Sequence, residues 1–571
     1  MIFNLIHRAE LTETSRFQQK CARELNLKAT VFIPSSSLDN QELVDEIKAN
    51  QQKYGDEVGI WLSPLRGMPP TMVWLLSEED KLKTVKYSVD RYKEQFGCAP
   101  KVISNYVLDS SLIRMIKEYC PEVVACVAGC FEEGVKVFHG CNNSWYLFSE
   151  GMSWNPWYPS KTQTVRPAEN EEDWAGVVAL PHLSRDLVLG YESRNDFFAS
   201  HPANVQRGLA NEGFVHAYDY NLTDQYRMQE DFNDGFSYYQ IHVSPGWLHG
   251  NPNIIDNDEI TRTLYRETLE YMVKLRDEGH LQDMYVSEFA EYYKKKVPIG
   301  KADVAVGKDI LFGSGKQYFW ITNPGFRVLI DSFQGGSIGD LRPYASKYAS
   351  FTGTDSKTPL MNSYPYLIQS QYRSGIKHHY DEGSRTTLFV KHNEEQIDIA
   401  RFPTKIQNVI RDGSDVELVL KPVDISFSDG FKLKLQTIYR FTVDGRILMS
   451  RKILNKSADD AHVELIEHVR ACYGFTEYPE DMKGIRLSIN DGQTLEYTYH
   501  NKSLVSSEGS SVLAEIPQIG TAFELSAVNC KPDKAETSEG HLFVPFYTMK
   551  LHYTMTTMEV TSCLAVREMK A

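Results

Sequence analysis

The sequence lacks several features that would narrow its function at once. No apolar run approaches the eighteen or so residues a membrane-spanning helix needs, so no such helix is expected. No basic stripe is present: net charge is −15, which argues against a nucleic-acid or anionic-membrane partner, because either needs clustered Lys and Arg. The nine cysteines contain no CxxC pair and are read as reduced thiols. HExxH and HxxxH are absent, adjacent His378 and His379 read as structural, and no metal or cofactor is expected. Walker-type and Rossmann glycine loops are missing too. GGSIG at 335–339 matches GxSxG, but a nucleophile elbow needs a helix after its turn, and none is indicated there. Tryptophan is absent after Trp320, so the two halves of the chain differ in composition.

What is present divides the chain near residue 300. Before it, apolar runs alternate with amphipathic helical segments: IFNLIH, KATVFIP, EVGIWLS, KVISNYVL, EVVACVAG, AGVVALP and FSYYQIHV. Thr12 or Thr14 can cap the first helix and Ser77 a later one. Strands alternating with helices imply a parallel sheet covered on both faces, and seven units imply a closed or nearly closed barrel. After residue 300, short strands with period-2 alternation follow one another through Gly, Asn and Asp turns, with a hairpin at VDGR. The expected fold is α/β plus all-β: a seven-stranded (β/α) barrel over 1–300, then a large antiparallel β-sandwich over 301–571.

Functional side chains of a parallel barrel gather at the C-terminal strand ends, where the loops share one mouth. Those ends offer Arg8 and Glu10 after strand one, Trp61 in strand three and Asp109 after strand four. Glu132 and Glu133 follow strand five, His182 and Asp186 strand six, and His242 closes strand seven. Two carboxylates flanking a sugar are the minimum for glycosidic cleavage. Each also has a plainer reading: Asp109 as a helix cap, Glu132 and Glu133 as a solvated pair, Asp186 as a partner of Arg185 or Arg194. The stretch from Phe131 to Trp174 runs without a helical period and carries four of the eight tryptophans. Flat aromatic faces suit sugar rings, so Trp157, Tyr158 and Lys161 are candidate ligand contacts, with a local aromatic core as the alternative. Trp247 is a further candidate wall of the site.

The stretches NLIHRAELT, LKATVFIP, DEVGIWLSP, ISNYVLDSSLI, VACVAGCFEEG and NPWYPSKTQTVRPAENEED span residues 1–200. Through them the first half resembles a bacterial family of polysaccharide-deacetylase-like barrels assigned to the glycoside hydrolases. Through DSFQGGSIGDL and LQTIYRFTVDGRILMSRKILN the second half resembles galactose-mutarotase-like sandwiches. The layout is more distantly similar to alpha-mannosidase and family-57 amylase architectures. The family-57 resemblance implies a carboxylate nucleophile after strand four, where Asp109 stands. Its acid would come from strand seven, where this chain has His242 and Ser244, which brings Glu132 or Asp186 forward for that role. The chain has HRAE where the mannosidase type has its His-x-Asp zinc signature, and Leu62 and Ser63 follow Trp61 where an acidic residue is expected. Both departures imply a divergent or inactive branch.

These readings lead to a cytoplasmic, metal-independent glycosidase acting on a small oligosaccharide or glycoside. Its expected catalytic residues are Asp109 with Glu132 or Asp186, and its partner is a carbohydrate substrate. A homo-oligomer is compatible with this reading. The alternatives are a metal-dependent carbohydrate deacetylase or esterase, and a carbohydrate-binding protein without catalysis.

Overall fold

The computed structural model describes residues 1–68, 72–131, 133, 151–192, 201–203, 205, 217–248, 258–311, 313–345, 366–370, 384–471, 484–498, 504–541 and 545–569. Glu132, His378 and His379 lie outside the described residues, as does the side chain of Trp247. The chain forms two compact units, Met1–Lys301 with Ile310–Phe312 and Ala302–Asp309 with Gly313–Ala571.

The first unit is built on seven parallel strands: β1 (Ile2–Arg8), β2 (Ala29–Pro34), β3 (Glu57–Trp61), β4 (Val102–Val107), β5 (Ala125–Cys130), β6 (Val178–Pro181) and β7 (Tyr238–His242). Their order is β6-β5-β4-β3-β2-β1-β7. Most of their residues are buried, because helices cover the outer face while side chains fill the inner one. Helices α1 (Glu13–Glu24), α2 (Gln41–Tyr54), α3 (Glu78–Phe96) and α4 (Ser110–Tyr119) follow the first four strands. Thr12, Asn40, Ser77 and Asp109 cap them, each accepting a backbone N–H of the first turn. Helices α5 (Ala217–Arg227), α6 (Asp258–Asp277) and α7 (Val286–Lys296) come later.

The seven-stranded barrel expected from the sequence is corrected in one respect: the sheet is open, since β6 and β7 share no ladder. Side chains and a loop bridge the gap instead. Gln240 Nε2 donates to Pro181 O at 2.8 Å and His182 O at 2.7 Å, and Ser184 N donates to Gln240 O at 3.0 Å. Trp157 and Ala179 exchange backbone hydrogen bonds in an isolated antiparallel bridge on β6. At the N-terminal strand ends, Ile2, Val102, Val178 and Tyr238 form one cluster with Phe289, Ala290 and Tyr293 of α7. The amphipathic last helix thus stoppers one end and leaves the chemistry to the other.

Among the described residues, the second unit consists of antiparallel sheets of five, six and ten strands. The hairpin read at VDGR joins strands Lys432–Phe441 and Arg446–Lys456. At GGSIG the chain turns directly into strand Ser337–Pro343. No helix among the described residues is long and apolar enough to cross a membrane.

Candidate functional site at the strand ends

Alternation along the strands decides what reaches the mouth. Ile2, Asn4, Ile6 and Arg8 share one face of β1, and the cluster membership of Ile2 and Ile6 identifies that face as the inner one. The same period brings Tyr106 inward with Val102 of β4, and His242 inward with Tyr238 of β7. Five groups therefore meet at one level. The Arg8 guanidinium lies 5.6 Å from the Trp61 ring centroid. Trp61 meets Tyr106 edge-on at 4.9 Å and lies 6.1 Å from both His182 and His242. The two imidazoles stand 4.1 Å apart, close to perpendicular.

Arg8 is held in place by Glu10. Its Nε donates to Glu10 Oε1 at 2.7 Å and its Nη1 to the Tyr106 hydroxyl at 3.3 Å. Arg8 and Glu10 are 22 % and 29 % exposed, so this ion pair lies at the opening. Beneath it, Trp61 and His242 are buried and His182 is half-buried. His182 Nε2 and His242 Nδ1 are out of solvent contact and have no hydrogen-bond partner. Burial holds both imidazoles below their ordinary pKa, helped by Arg185 and Arg8 at His182 and by His182 and Arg8 at His242. Neutral histidines and the paired Arg8 and Glu10 leave these side chains polar and, among themselves, without net charge.

Of the carboxylates favoured by the sequence, Asp109 and Asp186 make local hydrogen bonds, and Glu132 lies outside the described residues. Asp109 Oδ1 accepts Leu112 N at 2.9 Å as the cap of α4, and its Oδ2 lies 3.7 Å from Lys81 Nζ. Asp186, 1 % exposed, accepts Val188 N at 2.8 Å and Leu189 N at 3.1 Å at the start of the single turn Leu189–Glu192. Glu133 accepts Ser110 N and Thr164 N, both at 3.0 Å, tying its loop to the start of α4. Burial, with Asp109 nearby, raises the Glu133 pKa. Of the expected site residues, Arg8, Glu10, Trp61, His182 and His242 come together; Asp109 and Asp186 do not join them in any described contact.

The described part of the aromatic loop makes contacts within the protein. Trp157 is buried, donates through Nε1 to Thr164 O at 3.0 Å and packs edge-on against Phe131. The Tyr158 hydroxyl donates to Val297 O at 2.7 Å, beside the α7 stopper, and Lys161 Nζ donates to Glu172 O at 2.6 Å within the loop. Trp157 and Tyr158 are buried here, and flat aromatic faces fill a core as readily as they stack on a sugar. Tyr106 and Gln240 were not singled out by sequence. The signal for Tyr106 is its period-2 phase with Val102, and for Gln240 a lone amide inside an apolar strand. Among the described residues, no three His, Cys, Asp or Glu side chains converge to hold a metal ion.

No family model and no curated protein matches the chain. Among solved structures, the 4-alpha-glucanotransferase from Thermococcus litoralis aligns over 100 % of both chains at 10 % identity with a TM-score of 0.28. The Xyl-CE4 domain of a multidomain xylanase from the hindgut metagenome of Trinervitermes trinervoides aligns over 51 % of this chain and 90 % of its own, at 11 % identity and TM-score 0.24. Galactose 1-epimerase from Lactobacillus acidophilus aligns over 47 % and 99 %, at 9 % identity and TM-score 0.27. Scores this low carry no argument about activity.

Proposed function

We propose that the barrel mouth binds a neutral carbohydrate and that the chain hydrolyses a glycosidic bond there. The observation that carries the reading is the composition of the mouth: two aromatic rings, two uncharged imidazoles with unpartnered buried nitrogens, and an ion pair whose charges cancel. A buried polar atom without a partner costs free energy that a ligand hydroxyl recovers. Absence of net charge among these side chains favours a neutral polyhydroxylated ligand over a phosphate or carboxylate, which would need an unpaired cation. Trp61 and Tyr106 offer apolar edges to a pyranose ring.

In this reading Glu10 takes the role that the sequence suggested for Asp109. Its carboxylate is positioned by Arg8 and half open to the mouth, where it can act as nucleophile or base at an anomeric carbon. Glu132, which follows the fifth strand in sequence, remains the proposed proton donor. A second reading, sugar binding without turnover, is favoured by Glu10 itself: its charge is already paired with Arg8, and the other described carboxylates of the strand ends serve as caps and ties.

The test is hydrolysis of a panel of α- and β-linked aryl glycosides by the wild type, Glu10→Gln and Asp109→Asn. Asparagine caps helices about as well as aspartate, so Asp109→Asn removes charge while keeping α4 in place. Wild type and Asp109→Asn are expected to turn over, and Glu10→Gln to lose roughly a hundredfold or more, comparable to other essential proton-transfer groups. Loss in Asp109→Asn with Glu10→Gln intact would return the catalytic role to Asp109. Binding of neutral sugars without turnover by any of the three supports the second reading.

A further inference from the structure

Side chains alternate along strand Glu464–Ala471 of the six-stranded sheet: Leu465, Glu467 and Val469 are buried on one face, and His468 and Arg470 belong to the other. Register with strands Arg385–His392, Pro545–Thr554 and Lys534–His541 arranges that second face in adjacent cross-strand rows. One row reads Thr387, His468, Lys550, Glu536, and the next Arg385, Arg470, Thr548, Ser538. Residues directly opposite on neighbouring strands share a face, so Arg385 and Arg470 stand side by side. Like charges in that arrangement destabilise a sheet unless something offsets them.

The anionic groups nearby are shared or distant. Glu536 accepts from Lys550 Nζ at 2.6 Å and also pairs with Lys534 at 2.8 Å. Arg385 Nη1 donates to the neutral Gln334 Oε1 at 2.8 Å, while Asp398 Oδ2 stays 3.9 Å from its Nη2. The Arg470 guanidinium lies 4.9 Å from the Phe546 ring centroid. Among these charges His468 keeps both ring nitrogens buried and without a hydrogen-bond partner. Burial, with Lys550, Arg470 and Arg385 adding to it, holds its pKa down to about 3. Solutes can reach the cations, since Arg385 is 19 % exposed and Lys550 27 %.

We propose that Arg385, Arg470 and Lys550 bind the oxyanion of a small ligand, a phosphate or a carboxylate, beside His468. Two guanidinium forks suit the paired oxygens of either group, and the lysine adds a point charge. A bound anion offsets the facing arginines and lets His468 take up a proton that its surroundings otherwise refuse. An acceptor oxygen at the ring also recovers the cost of an unpartnered nitrogen. The site belongs to the second unit and does not rest on the reading of the mouth.

The experiment follows His468 by ¹⁵N-histidine NMR in the full chain, with the signal assigned by His468→Gln. Inorganic phosphate or acetate replaces chloride at constant ionic strength. Proteins are the wild type, Arg385→Gln, Arg470→Gln and a control, Lys391→Gln, which removes a cation farther along the same face. Folding is checked by circular dichroism. In the wild type the His468 signal is expected to shift saturably and its pKa to rise. Each arginine variant should weaken binding about tenfold or more, the share of a charge-assisted hydrogen bond, and Lys391→Gln should leave it unchanged. Saturation by phosphate alone supports a phosphoryl group as the ligand's anion, and saturation by acetate alone a carboxylate. No saturable shift with either anion overturns the site. Equal weakening in all three variants overturns it too, because it marks general screening. Should an arginine variant unfold, Lys550→Gln is held to the same tenfold criterion, and unchanged binding there overturns the proposal.

Discussion

The first unit should lose stability steeply as pH falls from 6.5 toward 3. His7 and His242 are 1 % and 3 % exposed, and burial pushes the His7 pKa down to about 3 with help from Arg23. Burial also lowers the His242 pKa, with His182 and Arg8 adding to the effect. Both side chains are neutral in the folded state, whereas in the unfolded chain they titrate near the ordinary histidine value of about 6.5. Above pH 6.5 neither state holds these protons, and the stability of the neutral, packed imidazoles is fully present. Below it the unfolded chain takes up protons that the folded one refuses, so stability falls by about 1.4 kcal/mol per pH unit for each histidine until the folded pKa is reached. Seven of the eight tryptophans belong to this unit, so tryptophan fluorescence in urea follows it preferentially. The expected result is a midpoint that drops sharply between pH 6.5 and 4.5. A flat midpoint over that interval would show that these imidazoles are reached by water and can charge in place.

Glu467→Ala should destabilise the second unit by about 3–5 kcal/mol. Strand Arg446–Lys456 of the ten-stranded sheet and strand Glu464–Ala471 of the six-stranded sheet face one another through a buried ion pair. Arg451 Nε donates to Glu467 Oε1 at 2.6 Å and Nη2 to Oε2 at 3.1 Å, with the two side chains 4 % and 1 % exposed. Nη1 donates to Thr437 Oγ1 at 2.9 Å, and the guanidinium lies 5.4 Å from the Tyr439 ring centroid. Removing the carboxylate leaves a cation in carbon surroundings without its counter-charge, and that desolvation is what the variant loses. The double variant Arg451→Met, Glu467→Leu removes both charges and should recover most of the loss, since an apolar pair of similar volume often matches a buried ion pair. Scanning calorimetry reads both. A single variant within 1 kcal/mol of wild type would mean that water or a neighbouring group compensates Arg451.

The framework is legible in the sequence because the strands are apolar runs and the helices carry caps. β2 is ATVFIP, and Thr12 and Ser77 stand where a first turn needs an acceptor. Strand ends likewise point to Arg8, Trp61, His182 and His242, since a parallel sheet delivers those positions to one mouth. Asp109 shows where local reading stops. An aspartate before SSLIRMI satisfies a cap and a catalytic position equally well, and its bond to Leu112 N shows the cap. Trp157 and Tyr158 are ambiguous in the same way, because composition does not distinguish a ring stacked on a ligand from a ring buried in a core. The buried pair in the second unit was readable in phase alone: Arg451 alternates with Ile447, Met449 and Ile453, and Glu467 with Leu465 and Val469, all inward. The open gap between β6 and β7 leaves no such trace, since a missing ladder is a property of two distant segments.

The most direct test of the mouth as a carbohydrate site is to watch its histidines. With ¹⁵N-histidine labelling, the ring nitrogens of His182 and His242 can be followed during titration with neutral mono- and oligosaccharides, and assigned by His182→Gln and His242→Gln. The expected result is that a binding sugar moves the signals of His182 Nε2 and His242 Nδ1, the two buried nitrogens that lack partners, while a uronic acid of the same ring size moves them far less. A sugar that binds without moving either ring, or a panel in which none binds, would contradict the assignment of the mouth as the site.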